Sequence, residues 1–339
     1  MTPLERVLTT TKHETPDRVP IFILLSTTCA KLSGFPYKEY YSSGKHIAKM
    51  QIQLQKKLDY DCLLGLTYLA QEAEPFGSNV IFYDDGDPNI HKPGFFDDPN
   101  KLLEVEMPDP FNDSAIKESL ILQKTLAEYG KGKIPILGVG TGIFSLPSLL
   151  IGTSKWYEMV LMEPDKSKSI ITLLKDYIIN LSNAKIESGA DIIVLVDGLA
   201  SASSIPPDIF ETFVKPALTR ITKEIKAPVV FGTAGGEIQP LIQLVIESGV
   251  LGITLSFSDE LETIKTEFGD KTVLLGNINN LEIVDWPNSV IEKVVQNCIT
   301  EGADRGGFIL MNQHTFPAAL PLEKIEHLIR KAKEFGTYQ

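Results

Sequence analysis

Two stretches decide the fold: Val229-Val230-Phe231-Gly232-Thr233-Ala234-Gly235-Gly236 and Ile309-Leu310-Met311-Asn312-Gln313-His314-Thr315-Phe316-Pro317. Each begins as a continuous apolar run, as a strand covered on both faces of a parallel sheet requires. Each then ends in small or polar residues, where an α/β barrel places its chemistry. Working outward, comparable β-branched runs recur at residues 20–24, 62–66, 134–138, 191–196, 252–256 and 273–275. With 228–231 and 307–311 they make eight. Segments of helical period lie between them, at 47–58, 167–187, 207–226, 238–247, 290–301 and 322–335. Eight strand–helix alternations predict an α/β fold of the (β/α)8 TIM-barrel type, with an N-terminal elaboration, rather than an open doubly wound sheet.

One connection is long. Residues 67–133 carry an extra apolar strand at 79–83, then Asp84-Asp85-Gly86-Asp87-Pro88, then a helix at 113–129. A structureless loop of that length is uncommon in a compact domain. The segment therefore reads as an ordered cap inserted after strand two, beside the barrel mouth, in a single barrel domain spanning 1–339.

Composition narrows the function classes. Lys and Arg number 32 against 44 Asp and Glu, for a net charge of −12, so neither nucleic acid nor an anionic membrane surface is expected as a partner. No apolar run approaches the roughly 20 residues that span a bilayer. Cys29, Cys62 and Cys298 are odd in number and widely spaced, which suggests no disulfide framework and points to reduced cytoplasm. Homo-oligomerisation is left open.

Several local patterns, in this order, resemble the uroporphyrinogen decarboxylase superfamily. They are Pro16-Asp17-Arg18-Val19-Pro20; Glu72-Ala73 with Gly77; Gly142-Ile143-Phe144-Ser145-Leu146; Gly189-Ala190-Asp191; Phe210-Glu211-Thr212-Phe213-Val214-Lys215-Pro216; Gly276-Asn277; and Pro321-Leu322-Glu323-Lys324-Ile325. The decarboxylases of that superfamily bind a carboxylate-rich tetrapyrrole and carry an arginine-rich segment near the first strand. Here residues 21–29 hold no arginine, and the whole chain has only Arg6, Arg18, Arg220, Arg305 and Arg330, which disfavours that substrate.

The superfamily's other relevant branch comprises methyltransferases that work with a separate corrinoid protein. Those passing a methyl group to coenzyme M hold zinc with His-x-Cys-Gly after strand five and a Cys after strand eight. Anchored on Gly232, the resemblance puts Val229 and Phe231 at the first two ligand positions and His314 at the third. A shift of two residues offers Phe231 and Thr233 instead. Either way two of three ligands are lost. The resemblance therefore implies the donor-side branch: methyl transfer from a small methylated substrate, a methoxylated aromatic favoured, to the Co(I) of a corrinoid protein partner. Zinc on an oxygen- and nitrogen-rich site is an accompanying expectation. Three alternatives stand: a methylcorrinoid:thiol methyltransferase with altered zinc ligands, a uroporphyrinogen decarboxylase, and a non-catalytic protein that binds a corrinoid or small ligand.

The candidate catalytic and metal-ligating residues are His314, Asp197 and Glu237. His314 follows strand eight and serves as ligand or general acid, or else as a loop histidine bonded to backbone. Asp197 ends the apolar run 192–196, exposed at the mouth or buried and paired. Glu237 follows Gly235-Gly236, as a ligand or as a helix N-terminal carboxylate stabilised by the macrodipole. Tyr68, Asn277 and Asn312 are the candidate substrate contacts, against plain roles as a core-edge tyrosine and loop-bonding amides. Cys29 is read either as a thiol near the mouth or as a small buried filler. Gly138-Val139-Gly140-Thr141-Gly142 lacks the GxGxxG spacing of a dinucleotide site and reads as close backbone approach to a ligand, the corrinoid being one choice.

Overall fold

The computed structural model describes residues 1–91 and 98–338. Its strands, in chain order, are β1 (Ile21–Phe22), β2 (Leu63–Gly65), β3 (Val80–Ile81), β4 (Asn89–Ile90), β5 (Ile136–Thr141), β6 (Ile192–Val196), β7 (Val229–Gly232), β8 (Gly252–Thr254), β9 (Val273–Ile278) and β10 (Phe308–Asn312). Eight of them form one parallel sheet in the order β1-β10-β9-β8-β7-β6-β5-β2, curled with helices outside as a (β/α)8 barrel. The eight expected runs are these eight strands, displaced at their ends by a few residues. Successive side chains along a strand point to opposite faces. Hence Val139, Val194, Val230 and Met311 line the lumen, while Phe231 turns outward against Phe210 at 6.1 Å between ring centroids.

β1 and β2 are the two ends of that order, and the barrel closes between them through one residue. The Asp61 amide donates to the Ile21 carbonyl at 2.8 Å, and the Ile21 amide donates to Asp61 Oδ2 at 2.8 Å. The same carboxylate, 1% exposed, receives Arg6 Nη1 at 2.7 Å and both Arg18 terminal nitrogens at 2.6 and 2.9 Å. Arg6 also grips Asp17 through Nε and Nη2, each at 2.7 Å, and this holds the Asp17 carboxyl down at about 2. The Pro16–Pro20 pattern is thus a buried ion network at the closing seam, remote from the chemistry.

Helices missed by hydrophobic period include Ser26–Ser33, Ser145–Ile151, Thr153–Met162 and Leu261–Phe268. Ser26–Ser33 reads as a loop because its hydroxyl-rich residues are poor helix formers. It forms because Ser26 through Ala30 are buried. The 67–133 connection holds a 3-10 helix (Leu69–Phe76), the antiparallel pair β3–β4, and helices Pro99–Leu103 and Ser114–Gly130. The last packs on helix Gly44–Leu58 and on β2 and β5, and so belongs to the barrel's outer ring. Residues 92–97 of the connection lie outside those described.

The alternate glycines of β5 accommodate side chains rather than a ligand, correcting the expectation for this stretch. A Cβ at Gly138 would sit 2.9 Å from Ala190 Cβ, one at Gly140 3.3 Å from Glu72 Oε1, and one at Gly142 2.3 Å from Asp197 Cβ. Under Gly140 lies a buried ion pair in which Lys185 Nζ donates to Glu72 Oε1 and to the Val139 carbonyl, each at 2.6 Å. Glu72 Oε2 takes the Thr141 amide at 2.7 Å.

Replacing Asp61 by Ala strands two guanidinium groups and the Ile21 amide inside the seam. Asp61→Ala should therefore cost about 3–5 kcal/mol of unfolding free energy, measured by urea titration. A loss below about 1 kcal/mol would show that the seam closes without this network.

Candidate active site

Strand ends and loops at the C-terminal rim enclose a cavity of about 380 Å³. It continues into a narrow apolar lumen of about 60 Å³. Leu66, Leu69, Val196, Ala234, His314 and Thr315 line both. Above this ring stand Tyr68, Ser145, Leu149, Leu199 and Asp87. Ala234 holds a left-handed backbone at φ 52°, strained for a residue with a Cβ and characteristic of functional loops.

His314 reaches this ring as expected, and Asn312 puts it there. The Asn312 amide takes the Leu24 N–H at 2.9 Å and donates to the Leu24 carbonyl at 3.2 Å and the His314 carbonyl at 2.5 Å. Asn312 is fully buried and serves as a clamp between β10 and the end of β1, not as a substrate contact. The His314 ring has Nδ1 at 3.2 Å from Thr315 Oγ1. Burial holds the imidazole below its ordinary pKa, partly opposed by the nearby Asp87 charge, so at neutral pH it is uncharged.

Asp197 is fully buried beneath the cavity rather than lining it. It accepts the Phe144 amide at 2.8 Å and Ser145 Oγ at 2.6 Å, and Ser145 Oγ in turn accepts the Leu199 amide at 3.1 Å. Asp197 thereby joins the loops after β5 and β6, and Gly142 is the residue small enough to sit against it. Burial pushes its carboxyl up to about 6, against the lowering effect of these hydrogen bonds.

The other expected residues fall elsewhere. Tyr68 lines the cavity with its ring, its hydroxyl donating to Glu74 Oε1 at 2.7 Å. Asn277 faces away from the mouth, donating to the Ser256 and Asp259 carbonyls at 3.0 and 3.2 Å. Glu237 is half-buried on the β7 loop, outside the cavity lining, its amide held by Ser203 Oγ at 3.0 Å. Cys29 is buried within helix Ser26–Ser33, and burial raises its thiol far from reactivity. Val229 and Phe231 do not face the lumen, since Val230, Gly232 and Ala234 are the residues that do. Among the described residues no three His, Cys, Asp or Glu side chains are placed to hold a metal ion. His314, Asp197 and Glu237 are therefore not brought together as a metal site, and the described residues do not fit zinc.

Asp87 was missed. The tight Asp84–Pro88 run reads as a turn, and that turn, between β3 and β4, carries the Asp87 carboxylate onto the cavity wall. Ser26 Oγ, Thr27 Oγ1 and the Tyr41 hydroxyl all donate to its Oδ1, the first two at 3.3 and 3.1 Å. Only packing places helix Ser26–Ser33 beside that turn.

A parallel barrel with a small-molecule cavity at its C-terminal rim defines the protein's structural class. The uroporphyrinogen decarboxylase (URO-D) family profile matches residues 2–335, and the chain belongs to that family. A uroporphyrinogen decarboxylase from Trichlorobacter lovleyi is 24% identical over 92% of this chain and 93% of its own length. A methylcobamide:CoM methyltransferase from Methanosarcina acetivorans is 24% identical over 87% of each chain. The solved structure of a methyltransferase from Methanosarcina mazei superposes with a TM-score of 0.89 at 20% identity, 99% of each chain being covered, which establishes the fold.

Because its folded pKa lies above the ordinary carboxyl value of 3.8, Asp197 keeps a proton that the unfolded chain has released between about pH 4 and 6. Its stabilising effect is complete below that window and lost as pH rises through about 6, a change on the order of 2–3 kcal/mol. Asp197→Asn should flatten the pH profile of the urea midpoint across this range. An unaltered profile would show that Asp197 titrates normally.

Proposed function

We propose that this protein is a methyltransferase that works with a corrinoid protein, and that it moves the methyl group of a small methylated substrate bound at the barrel mouth. The carrying observation is the cavity itself: about 380 Å³ at the C-terminal rim, with neither lysine nor arginine among the described residues of its lining. A tetrapyrrole rich in carboxylates needs cationic partners. Here the available arginines near the barrel, Arg6 and Arg18, are tied to Asp17 and Asp61 at the closing seam. The methylcobamide-dependent relative, matched over 87% of each chain, supports the corrinoid as co-substrate and a corrinoid protein as partner.

The donor side of the transfer is the finer reading. A thiol acceptor held as thiolate by zinc would need a ligand cluster, and the lumen positions Val230, Gly232 and Ala234 offer no ligating side chain. A reduced corrinoid supplies a nucleophilic cobalt(I) that accepts the methyl group. The chain's own residues bind and orient the donor. Tyr68 and the leucines above the ring wall it from water, and the His314 imidazole meets its reacting end over the apolar lumen. A methoxylated aromatic is the donor that the family resemblance favours, and the tyrosine wall is compatible with it on shape alone. The three cysteines are free and buried, in keeping with a reduced cytoplasmic setting.

Cob(I)alamin followed spectroscopically tests the reading. Loss of the Co(I) band on addition of protein and a methyl donor is expected, and His314→Ala, which removes the group that orients the donor, should slow it by about 10²-fold. Binding of donors without any Co(I) loss would favour a non-catalytic binding protein instead.

A further inference from the structure

The lining of the mouth cavity is electrostatically one-sided. Among the described residues Asp87 is its single carboxylate and no Lys or Arg lines it, and His314 beside it is neutral. The three hydroxyl donors from Ser26, Thr27 and Tyr41 all fall on Asp87 Oδ1, fixing the carboxylate, and among the described residues none donates to Oδ2. Tyr68 presents its ring because its hydroxyl is committed to Glu74. That ring is braced edge-on by Tyr41 and Phe82, with centroids at 6.2 and 5.7 Å. Leucines and small uncharged polar residues, among them Thr141, Ser145 and Thr315, complete the wall. One fixed carboxylate beside an aromatic ring, in a pocket whose other described polar groups are uncharged, suits a bulky, weakly hydrated cation. A metal ion would need further oxygen ligands, and an anion would be repelled.

We propose that Asp87 and Tyr68 form a cation subsite and that the methyl donor is a small onium compound, an N-methylated ammonium or S-methylated sulfonium. This rests on the methyl-transfer reading above. The chemistry of the leaving group agrees with it. The carbon–nitrogen or carbon–sulfur bond breaks with its electron pair staying on the heteroatom, which departs as a neutral amine or thioether. The methyl carbon bonds to the electron pair of the reduced corrinoid cobalt, which goes formally from Co(I) to Co(III). No proton moves, so neither a strong general acid nor a metal is required. An aryl methyl ether would leave as an anion, and neutral His314 is a weak acid for that task.

Choline and its neutral isostere 3,3-dimethylbutan-1-ol test the charge requirement by calorimetry on the intact protein. Choline should bind about 10-fold or more tightly than the isostere, and Asp87→Asn should reduce that preference to within about 3-fold. If Asp87→Asn does not fold, Tyr68→Leu, which leaves the carboxylate in place, should cut choline affinity by about 5-fold while sparing the isostere. Equal binding of the two ligands to the parent protein overturns the proposal. Cob(I)alamin then separates the two levels, with tetramethylammonium, trimethylsulfonium and methoxybenzoate offered in turn. Transfer from either onium donor supports the assignment. Transfer from the aryl ether alone overturns it and leaves corrinoid methyl transfer intact. Charge-selective binding without transfer from any donor upholds the cation subsite and overturns the methyl-transfer reading.

Discussion

The barrel depends on one buried carboxylate. Seven of the neighbouring strand contacts are parallel ladders, and the remaining gap between β1 and β2 is spanned by Asp61, whose amide and side chain both bond Ile21. Two arginines neutralise that carboxylate out of contact with water. Such a network confers little stability when intact, because desolvation offsets most of the attraction, yet each member is costly to remove alone. The consequence is geometric. Closing the ring at this face fixes where the opposite ends of β1 and β10 emerge, and these ends carry Leu24, Asn312 and His314.

The mouth repeats the same logic on the opposite face. Asp197 fastens the loops after β5 and β6, and Asn312 fastens the ends of β1 and β10. Both are buried polar groups whose hydrogen bonds are satisfied within the protein, as interior polar groups must be. Neither faces the ligand. The described residues left facing the cavity are a neutral histidine, a tyrosine ring, aliphatic side chains, small uncharged polar residues and the Asp87 carboxylate. This division between residues that hold the rim and residues that meet the substrate accounts for a site with so few charges in a chain of net charge −12.

Much of the barrel could be read from local pattern. Continuous apolar runs at fixed spacing mark strands covered on both faces, and helical period marks the outer ring, because both signals come from burial that repeats along the chain. The site was less legible. His314 and Tyr68 were found because they directly follow strands, and strand ends point to the rim. Asp197 and Asn312 share that position, yet each is turned inward to bond backbone, a difference no residue type announces. Asp87 lay in a turn whose partners, Ser26, Thr27 and Tyr41, are some 50 to 60 positions away and hidden in helices without strong period. The lumen-facing register of β7 also escaped the sequence reading, since strand alternation gives two faces but only packing against Phe210 shows that Phe231 takes the outer one.

By itself, then, the sequence determined the class of fold, the order of its elements and the scarcity of arginine, five in all, that sets a carboxylate-rich substrate at a disadvantage. Those properties are sums over local burial and composition, and they survive without knowledge of contacts. Tertiary structure alone decided which carboxylates are structural and which is available, that His314, Asp197 and Glu237 do not converge, and that a cap turn contributes to the cavity. Those outcomes hinge on the direction of single side chains across distant segments. Direction is set by the closing of the barrel and by the hydrogen-bond partners that closing supplies.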